Sequence, residues 1–199
     1  MNPLYLAPDV IIKLGWSSPI DMWAIACILV ELLAGEIPFY VRGGISQDEE
    51  DIELLATIEH VVGRCIDPNM VGIATSNAES TLGSNICQYA SHGKFKFPHA
   101  VEDRVKSRKT LRELVPQNSL FSKMFLDLLL KLFTFDPDER IPPHGALENS
   151  WVCSLVVDEG TVAHLYGQRG NTGSSALPDI DQEWIGGIAR AINESPRTL

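Results

Sequence analysis

Paired cysteines, long hydrophobic runs and an excess of positive charge are all missing from this 199-residue sequence. Its four cysteines are scattered without a C-x-x-C spacing, which disfavours a zinc site or a disulfide framework and favours reduced thiols. The net charge of −10 disfavours a general nucleic-acid or anionic-membrane binder. The N-terminal residues have neither the basic nor the apolar region of a secretory signal, so we expect an intracellular protein, nuclear or cytoplasmic.

The most informative segment that is present is SSPIDMWAIACILVELLAG, from residue 17 to residue 35. We expect Ser18 to cap a helix there, Pro19 to occupy its first position and Gly35 to end it. Because residues 22–30 are apolar without a break, no helical face is left for water, and we predict a helix buried on all sides. A membrane span is not expected, since the apolar run is far shorter than the ~20 residues that a bilayer requires.

Two amphipathic helices are predicted further along the chain. The first covers SQDEEDIELLATIEHVVG, and we interpret its acidic first turn as solvated surface rather than a metal site. The second covers SLFSKMFLDLLLKLF, begins at a capping Ser119 and belongs to the core. A short last helix is predicted to turn Leu147 and Trp151 inward. In the loop after the central helix, Phe39 and Tyr40 are predicted to be exposed.

Residues 64–118 have no helical periodicity and are punctuated by Gly, Ser, Asn and Pro, so we predict a long irregular insert. Within it, Phe95 and Phe97 alternate with Lys94 and Lys96, which predicts a short strand or a hairpin arm. The basic residues that follow are interpreted as an exposed loop, because no nucleic-acid-binding fold accompanies them.

The sequence is predicted to divide into a domain over residues 1–153 and a tail over residues 154–199. The tail is rich in Gly and Ser and is expected to be flexible, apart from the amphipathic piece QEWIGGIARAIN. Trp184, Ile185 and Ile188 of that piece are predicted to dock back on the domain, with binding to a protein partner as the alternative.

Two separated blocks of the sequence resemble blocks of a known family. YLAPDVI and the following LGWSSPIDMWAIACILVELLAGEIPF resemble the end of the activation segment and the central F helix of eukaryotic protein kinases. The spacing LGWS-x-P-x-D-x-W is particularly similar to the LAMMER (CDC-like) kinases of the CMGC group. Further along, KLFTFDPDERI resembles the D-P-x-x-R turn that joins helices H and I. The resemblance implies a mainly α fold, helices F to I of the C-terminal kinase lobe, with residues 64–118 as the CMGC insert and the N-terminal lobe absent. Because helices G, H and I cover only part of the F helix, we then expect this chain either to expose an apolar strip beside the central helix or to cover that strip with its own N-terminal loop and tail.

The resemblance also implies roles for individual residues. Tyr5, Ala7 and Pro8 match the wall that receives the peptide substrate beside the phosphorylated hydroxyl. Asp9 occupies the place of the Glu in A-P-E. In the family that acid forms a buried ion pair with the arginine of the D-P-x-x-R turn, here Arg140. These two residues are therefore expected to support the site from behind.

Further matches and departures concern the same region. Asp21 matches the F-helix aspartate whose carboxylate holds backbone N–H groups of the catalytic loop, and Trp23 matches the residue that packs beside it. Because Asp9 is one methylene shorter than Glu, we expect its pair with Arg140 to be shifted or stretched and to be a weak point. Leu6 stands where CMGC kinases usually carry an arginine.

Before Tyr5 the sequence contains no Gly-rich loop, V-A-I-K lysine, H-R-D catalytic loop or D-F-G motif. Phosphoryl transfer depends on those parts and on magnesium for positioning and electrostatic stabilisation. We therefore expect no catalytic, cofactor-binding or metal-binding residue in this chain. The resemblance implies ATP and Mg²⁺ only for a full-length parent.

Two functional hypotheses follow. The first is the C-terminal part of a protein serine/threonine kinase, inactive alone, whose full-length parent phosphorylates protein substrates. Basic, Ser/Arg-rich substrates suit the acidic domain. The second is a non-catalytic, kinase-derived module that binds a protein through helix G, the insert or the Trp184 segment. Neither hypothesis includes a nucleic-acid or membrane partner.

Overall fold

The computed structural model describes residues 5–41, 46–80 and 85–157. The described part is mainly helical, and its two strands pair as one antiparallel hairpin. The strands are β1 (Ala90–Ser91) and β2 (Lys94–Phe95), preceded by a 3-10 helix, Asn85–Tyr89. The helices are α1 (Pro8–Ile11), α2 (Pro19–Ala34), α3 (Gln47–Val62), α4 (Pro68–Ser80), α5 (His99–Val105), α6 (Leu111–Leu114), α7 (Leu120–Leu132), α8 (Pro143–Leu147) and α9 (Ser150–Val157).

The central helix α2 begins and ends where the sequence predicts. Pro19 opens the helix, and Gly35 ends it in the left-handed region at φ 74°, where its N–H donates to the carbonyl of Glu31 at 2.8 Å. The predicted capping role of Ser18 is wrong. Its backbone is already helical and its side chain makes no capping hydrogen bond, since a cap normally requires an extended backbone. None of the described helices is long and apolar enough to cross a bilayer.

The prediction that α2 is buried on all sides is also wrong, whereas the exposed apolar strip, one of the two alternatives that follow from the family resemblance, is present among the described residues. One side faces the core through Ile20, Met22, Trp23, Ala26, Cys27 and Val30. On another side Ile25, Ile28 and Leu32 are 44%, 49% and 46% exposed. These three residues recur at helical spacing and form what we call the α2 strip. The described elements pack against the opposite side of the helix and leave the strip open to solvent.

An aromatic cluster lies where α2 meets the end of α7. The ring of Trp23 stacks on Phe39 at 5.5 Å between centroids, and meets Phe133 edge-on at 4.8 Å. Phe135 lies 6.1 Å from Trp23. Phe39 is fully buried, which corrects its predicted exposure, because the loop after α2 turns back onto Trp23. Tyr40 is 49% exposed, as predicted.

The remaining helices surround this centre. Helix α7 packs against α2 and α9, while α3 packs against α1 and α5. Helix α7 begins at Ser119, whose hydroxyl accepts the N–H of Ser122 at 3.1 Å, so the predicted cap is present.

The predicted single last helix is two helices, α8 and α9. Leu147 is 69% exposed rather than inward, because α8 ends there, whereas Trp151 is half-buried against Phe125 at 4.7 Å. The tail piece with Trp184 and Ile185 lies outside the described residues.

Residues 64–118 are more regular than the sequence predicts. They contain α4, the 3-10 helix, the hairpin, α5 and α6. Most of these elements are too short to show helical periodicity in the sequence, which explains the difference. The strand predicted around Phe95 is β2. The stretch is tied to α3 by Arg104, whose Nη2 lies 2.5 Å from Oε2 of the buried Glu53.

Two glycines offer a matched test of the helix boundaries. Gly63 ends α3 at φ +75°, whereas Gly72 lies inside α4, and a Cβ at either position would meet nothing within 4 Å. We expect Gly63→Ala to lower the free energy of unfolding by about 1 kcal/mol through backbone strain, and Gly72→Ala to raise it by about 0.5–1 kcal/mol. Urea denaturation measures both. Shifts of the same sign would contradict the two assigned conformations.

Candidate functional site

A buried ion pair joins the beginning and the end of the described domain. Nη2 of Arg140 donates to Oδ1 of Asp9 at 2.6 Å, and the two side chains are 0% and 2% exposed. Further guanidinium hydrogen bonds go to backbone carbonyls, from Nε to Thr134 at 2.8 Å, from Nη1 to Pro19 at 3.0 Å and from Nη2 to Phe135 at 3.0 Å. One side chain therefore connects α1, the start of α2 and the turn after α7.

Of the two expected alternatives for this pair, a shifted or a stretched contact, the stretched one is wrong. The distance of 2.6 Å is that of a short, charge-assisted hydrogen bond. Asp9 lies in the first turn of α1, directly after the buried Ala7 and Pro8, so the main chain itself brings the shorter carboxylate to Arg140. The Cζ atom of Arg140 also lies 5.4 Å from the ring centroid of Trp23, which adds a cation–π contact on one face.

The three residues predicted to form the substrate wall are not equivalent. Ala7 and Pro8 are buried, and the carbonyl of Ala7 accepts N–H groups from the first turn of α1. Tyr5 is half-buried, and its hydroxyl donates a hydrogen bond to a carboxylate oxygen of Glu31 on α2. That hydrogen bond, then burial, then the negative charge of Glu31 raise the pKa of Tyr5 to about 12. Because the side chains of Ala7 and Pro8 are buried, a substrate could contact this wall only through Tyr5 and the main chain.

Asp21 lies apart from these residues. It occupies the first turn of α2, where its N–H donates to the carbonyl of Ser18 at 3.2 Å, and its exposed carboxylate makes no hydrogen bond to the described residues. The spacing from Asp21 to Ile25, Ile28 and Leu32 follows the helical repeat. Asp21 and the α2 strip therefore form one continuous face with a carboxylate at its N-terminal end.

Comparison with known sequences decides the family. The model of the family described as protein kinase domain matches residues 1–152. The chain belongs to the protein kinase family. The predicted resemblance and the predicted mainly helical, C-terminal-lobe fold are thereby confirmed, and the relatives below are of the LAMMER (CDC-like) type.

Named relatives and one solved structure agree with this assignment. The dual specificity protein kinase lkh1 of Schizosaccharomyces pombe is 34% identical over 148 residues, 72% of this chain and 19% of that protein. The serine/threonine-protein kinase AFC1 of Arabidopsis thaliana is 35% identical over 152 residues, 73% of this chain and 29% of that protein. The human dual specificity protein kinase CLK1 is 28% identical over 148 residues, 73% and 27% of the two chains.

The solved structure is the crystal structure of a kinase domain. It superimposes with a TM-score of 0.59 at 28% identity and covers 75% of this chain and 40% of that chain. The chain spans about a fifth to a third of the length of these curated relatives. The family assignment therefore concerns one part of a kinase domain.

Glu31 was not predicted as a residue of the site. Glu31 and Asp21 are the two charged residues of an otherwise apolar α2, and Glu31 holds the hydroxyl of Tyr5. A charged side chain inside an apolar helix usually has a specific partner, which is the signal that could have pointed to this contact. The Arg104–Glu53 contact was likewise missed, because its partners come from two helices, of which α5 was not predicted.

The described residues contain no cluster of metal-ligating side chains. Within residues 5–41, 46–80 and 85–157, no group of three or more His, Cys, Asp or Glu side chains could hold a metal ion. The resident side chains instead form a structural pair, Asp9–Arg140, and a surface pair, Tyr5–Glu31. We therefore derive no step of phosphoryl transfer from them.

The pKa of Tyr5 provides a test of the contact with Glu31. Of the four tyrosines in the sequence, Tyr5 should ionise near pH 12, compared with about 10 for an unperturbed phenol. Because the folded-state pKa is raised, the contact stabilises the fold below pH 10 and its contribution is lost as pH rises through 12. We expect Glu31→Gln to lower the pKa of Tyr5.

The measurement is a tyrosinate absorbance titration, with the spectrum of Tyr5→Phe subtracted to isolate one phenol. The contact is refuted if Tyr5 has the same pKa with Glu31 and with Gln at position 31.

Proposed function

We propose that this chain is the C-terminal part of a protein serine/threonine kinase of the LAMMER type, over residues 1–153. Its full-length parent transfers the γ-phosphate of ATP to Ser or Thr residues of proteins. The observation that carries the proposal is the buried contact of Asp9 with Arg140, 131 residues apart, which joins the two kinase-like blocks of a chain in this family. The relatives are named as serine/threonine or dual specificity protein kinases, which supports the same reaction.

We assign the substrate side of the site to the N-terminal segment. Tyr5 is the accessible part of the wall, and Glu31 fixes its hydroxyl from α2. Asp9, Trp23 and Arg140 position that segment from behind. The half-buried carboxylate of Glu31 and the net charge of −10 favour basic substrates, and Ser/Arg-rich proteins are the substrate class that we propose.

The α2 face has a complementary role in this proposal. The exposed Asp21 would accept backbone N–H groups of a catalytic loop, and the α2 strip would pack against the parts of the lobe that carry it. ATP and Mg²⁺ would be bound by those parts and not by this chain. Alone, the chain would therefore be catalytically inactive. The parent would act inside the cell, in the nucleus or the cytoplasm.

A second candidate function is a kinase-derived module that binds a protein without catalysis. The α2 strip favours this function, because three half-exposed apolar side chains along one face of a helix are typical of a surface that another protein covers. Helix α3, the insert and the Trp184 segment are further surfaces for such a partner. This function requires no catalytic segment in the parent.

The two functions predict different coding sequences upstream of Met1 in the gene. If the transcript continues in frame before Met1 and encodes an H-R-D and a D-F-G block, we expect the longer chain to phosphorylate an Arg-Ser peptide in the presence of Mg²⁺ and ATP. An in-frame sequence without those blocks would contradict the kinase parent and leave the binding module.

Nucleotide binding by the 199-residue chain itself provides a direct test. A nucleotide at a hundredfold excess over its Kd would stabilise the fold by about 2.7 kcal/mol. We expect no Mg²⁺–ATP-dependent rise in melting temperature and no transfer of labelled phosphate. A magnesium-dependent rise in melting temperature would contradict the inactive state proposed for this chain.

A further inference from the structure

A cavity of about 330 Å³ lies between the loop after α1, helix α4 and the turn after α7. We call it the Trp16 cavity. Trp16 is 70% exposed and Ile73 is 53% exposed, and both lie on the rim of the cavity. Leaving two large apolar side chains in contact with water is unfavourable in free energy. Met70 and Leu14 line the interior. The volume lies at the lower end of the range for ligand pockets, about 300–1,000 Å³, and suits one long side chain rather than a large ligand.

The charge of the Trp16 cavity is negative. Asp136 and Asp138 line one wall, and no lysine or arginine is among the described lining residues. The third acid of the lining, Asp9, is neutralised by Arg140. That guanidinium is already bonded to Asp9 and to three backbone carbonyls, so it does not also serve Asp136 or Asp138. The cavity therefore combines an exposed indole with two carboxylates that this arginine does not neutralise.

We propose that the Trp16 cavity binds an arginine side chain from a protein partner. A guanidinium stacks on the face of an indole and at the same time donates paired hydrogen bonds to a carboxylate, which Trp16 and Asp138 would supply. Ile73 would contact the aliphatic part of the arginine. A lysine ammonium offers no planar group to stack and no paired donors, so arginine is preferred over lysine.

Other occupants fit the cavity less well. Phosphates and nucleic acids would be repelled by Asp136 and Asp138. Neither Tyr5 nor Glu31 lines the cavity, so it is distinct from the accessible part of the proposed substrate wall, although Asp9, which supports that wall, is among its lining residues. Binding there requires no phosphoryl transfer, and a protein without kinase activity would retain it.

The test measures peptide binding by the full 199-residue chain through fluorescence anisotropy at low ionic strength. The probe is a labelled peptide of repeated Arg-Ser, compared with Lys-Ser and citrulline-Ser peptides of equal length. Citrulline keeps the shape of arginine but lacks its charge. We expect the arginine peptide to bind at least about tenfold more tightly than the citrulline peptide and about threefold more tightly than the lysine peptide.

Four variants distinguish binding in the cavity from general attraction of the peptide to the negative charge of the chain. Trp16→Ala and Asp138→Asn should each weaken binding of the arginine peptide about fivefold. Glu148→Gln removes an equal charge from an exposed position after α8, and Leu147→Ala removes an exposed apolar side chain beside it. Both controls should leave the affinity unchanged. Equal weakening by Glu148→Gln and Asp138→Asn would overturn the proposal in favour of net charge.

Two further results would also overturn it. A loss of binding in Glu31→Gln without a loss in Asp138→Asn would place the peptide at the substrate wall. Affinity unchanged by Trp16→Ala would exclude stacking on the indole.

Discussion

The guanidinium of Arg140 is the constraint on which the rest of the described domain depends. It holds the carboxylate of Asp9 and the backbone carbonyls of Thr134, Pro19 and Phe135. A buried charge is tolerated only when it is paired and hydrogen-bonded, so these groups must meet in one place. The position of α1 beside the start of α2 and the turn after α7 follows from that requirement.

The aromatic cluster completes this arrangement from the apolar side. Trp23 contacts the guanidinium with its ring and packs against Phe39 and Phe133 with the same side chain. The indole of Trp23 therefore connects the buried Asp9–Arg140 ion pair to the apolar core. The segment that begins at Tyr5 is held by the Asp9–Arg140 ion pair on one side and by Glu31 on the other. That is how a structural ion pair bears on the proposed substrate wall.

The central helix is only partly covered by the described elements. Helix α2 is apolar on nearly all sides, but the described elements bury only one of them. Its open face, from Asp21 along the α2 strip, is suited to further protein structure rather than to water.

Long elements with clear signals were predictable from the sequence. Pro19, Gly35 and Ser119 mark helix ends correctly, because their local chemistry fixes the backbone. The family resemblance predicted an exposed apolar strip on α2 as one of two alternatives, but which residues form it was not predictable, since a helix without a polar side has no periodicity to orient it. The short helices of the insert were missed for a related reason. The burial of Phe39 depends on a tertiary contact, which no local pattern records.

The candidate site was only partly predictable. The pairing of Asp9 with Arg140 followed from the family resemblance, but its short distance depends on how closely α1 approaches the arginine. The role of Glu31 depends on contact with Tyr5, 26 residues away in sequence. Residue types can thus indicate which groups need partners, while the distances between them are set by packing.

A double-mutant cycle on the ion pair tests the central claim most directly. The unfolding free energies of the unmodified chain, Asp9→Asn, Arg140→Met and the double variant give the coupling energy between the two side chains, with Arg112→Met at an exposed position of α6 as the matched control. We expect a coupling of about 2–3 kcal/mol for Asp9 with Arg140 and none for Asp9 with Arg112. A coupling near zero for Asp9 with Arg140 would contradict the claim that this contact holds the domain together.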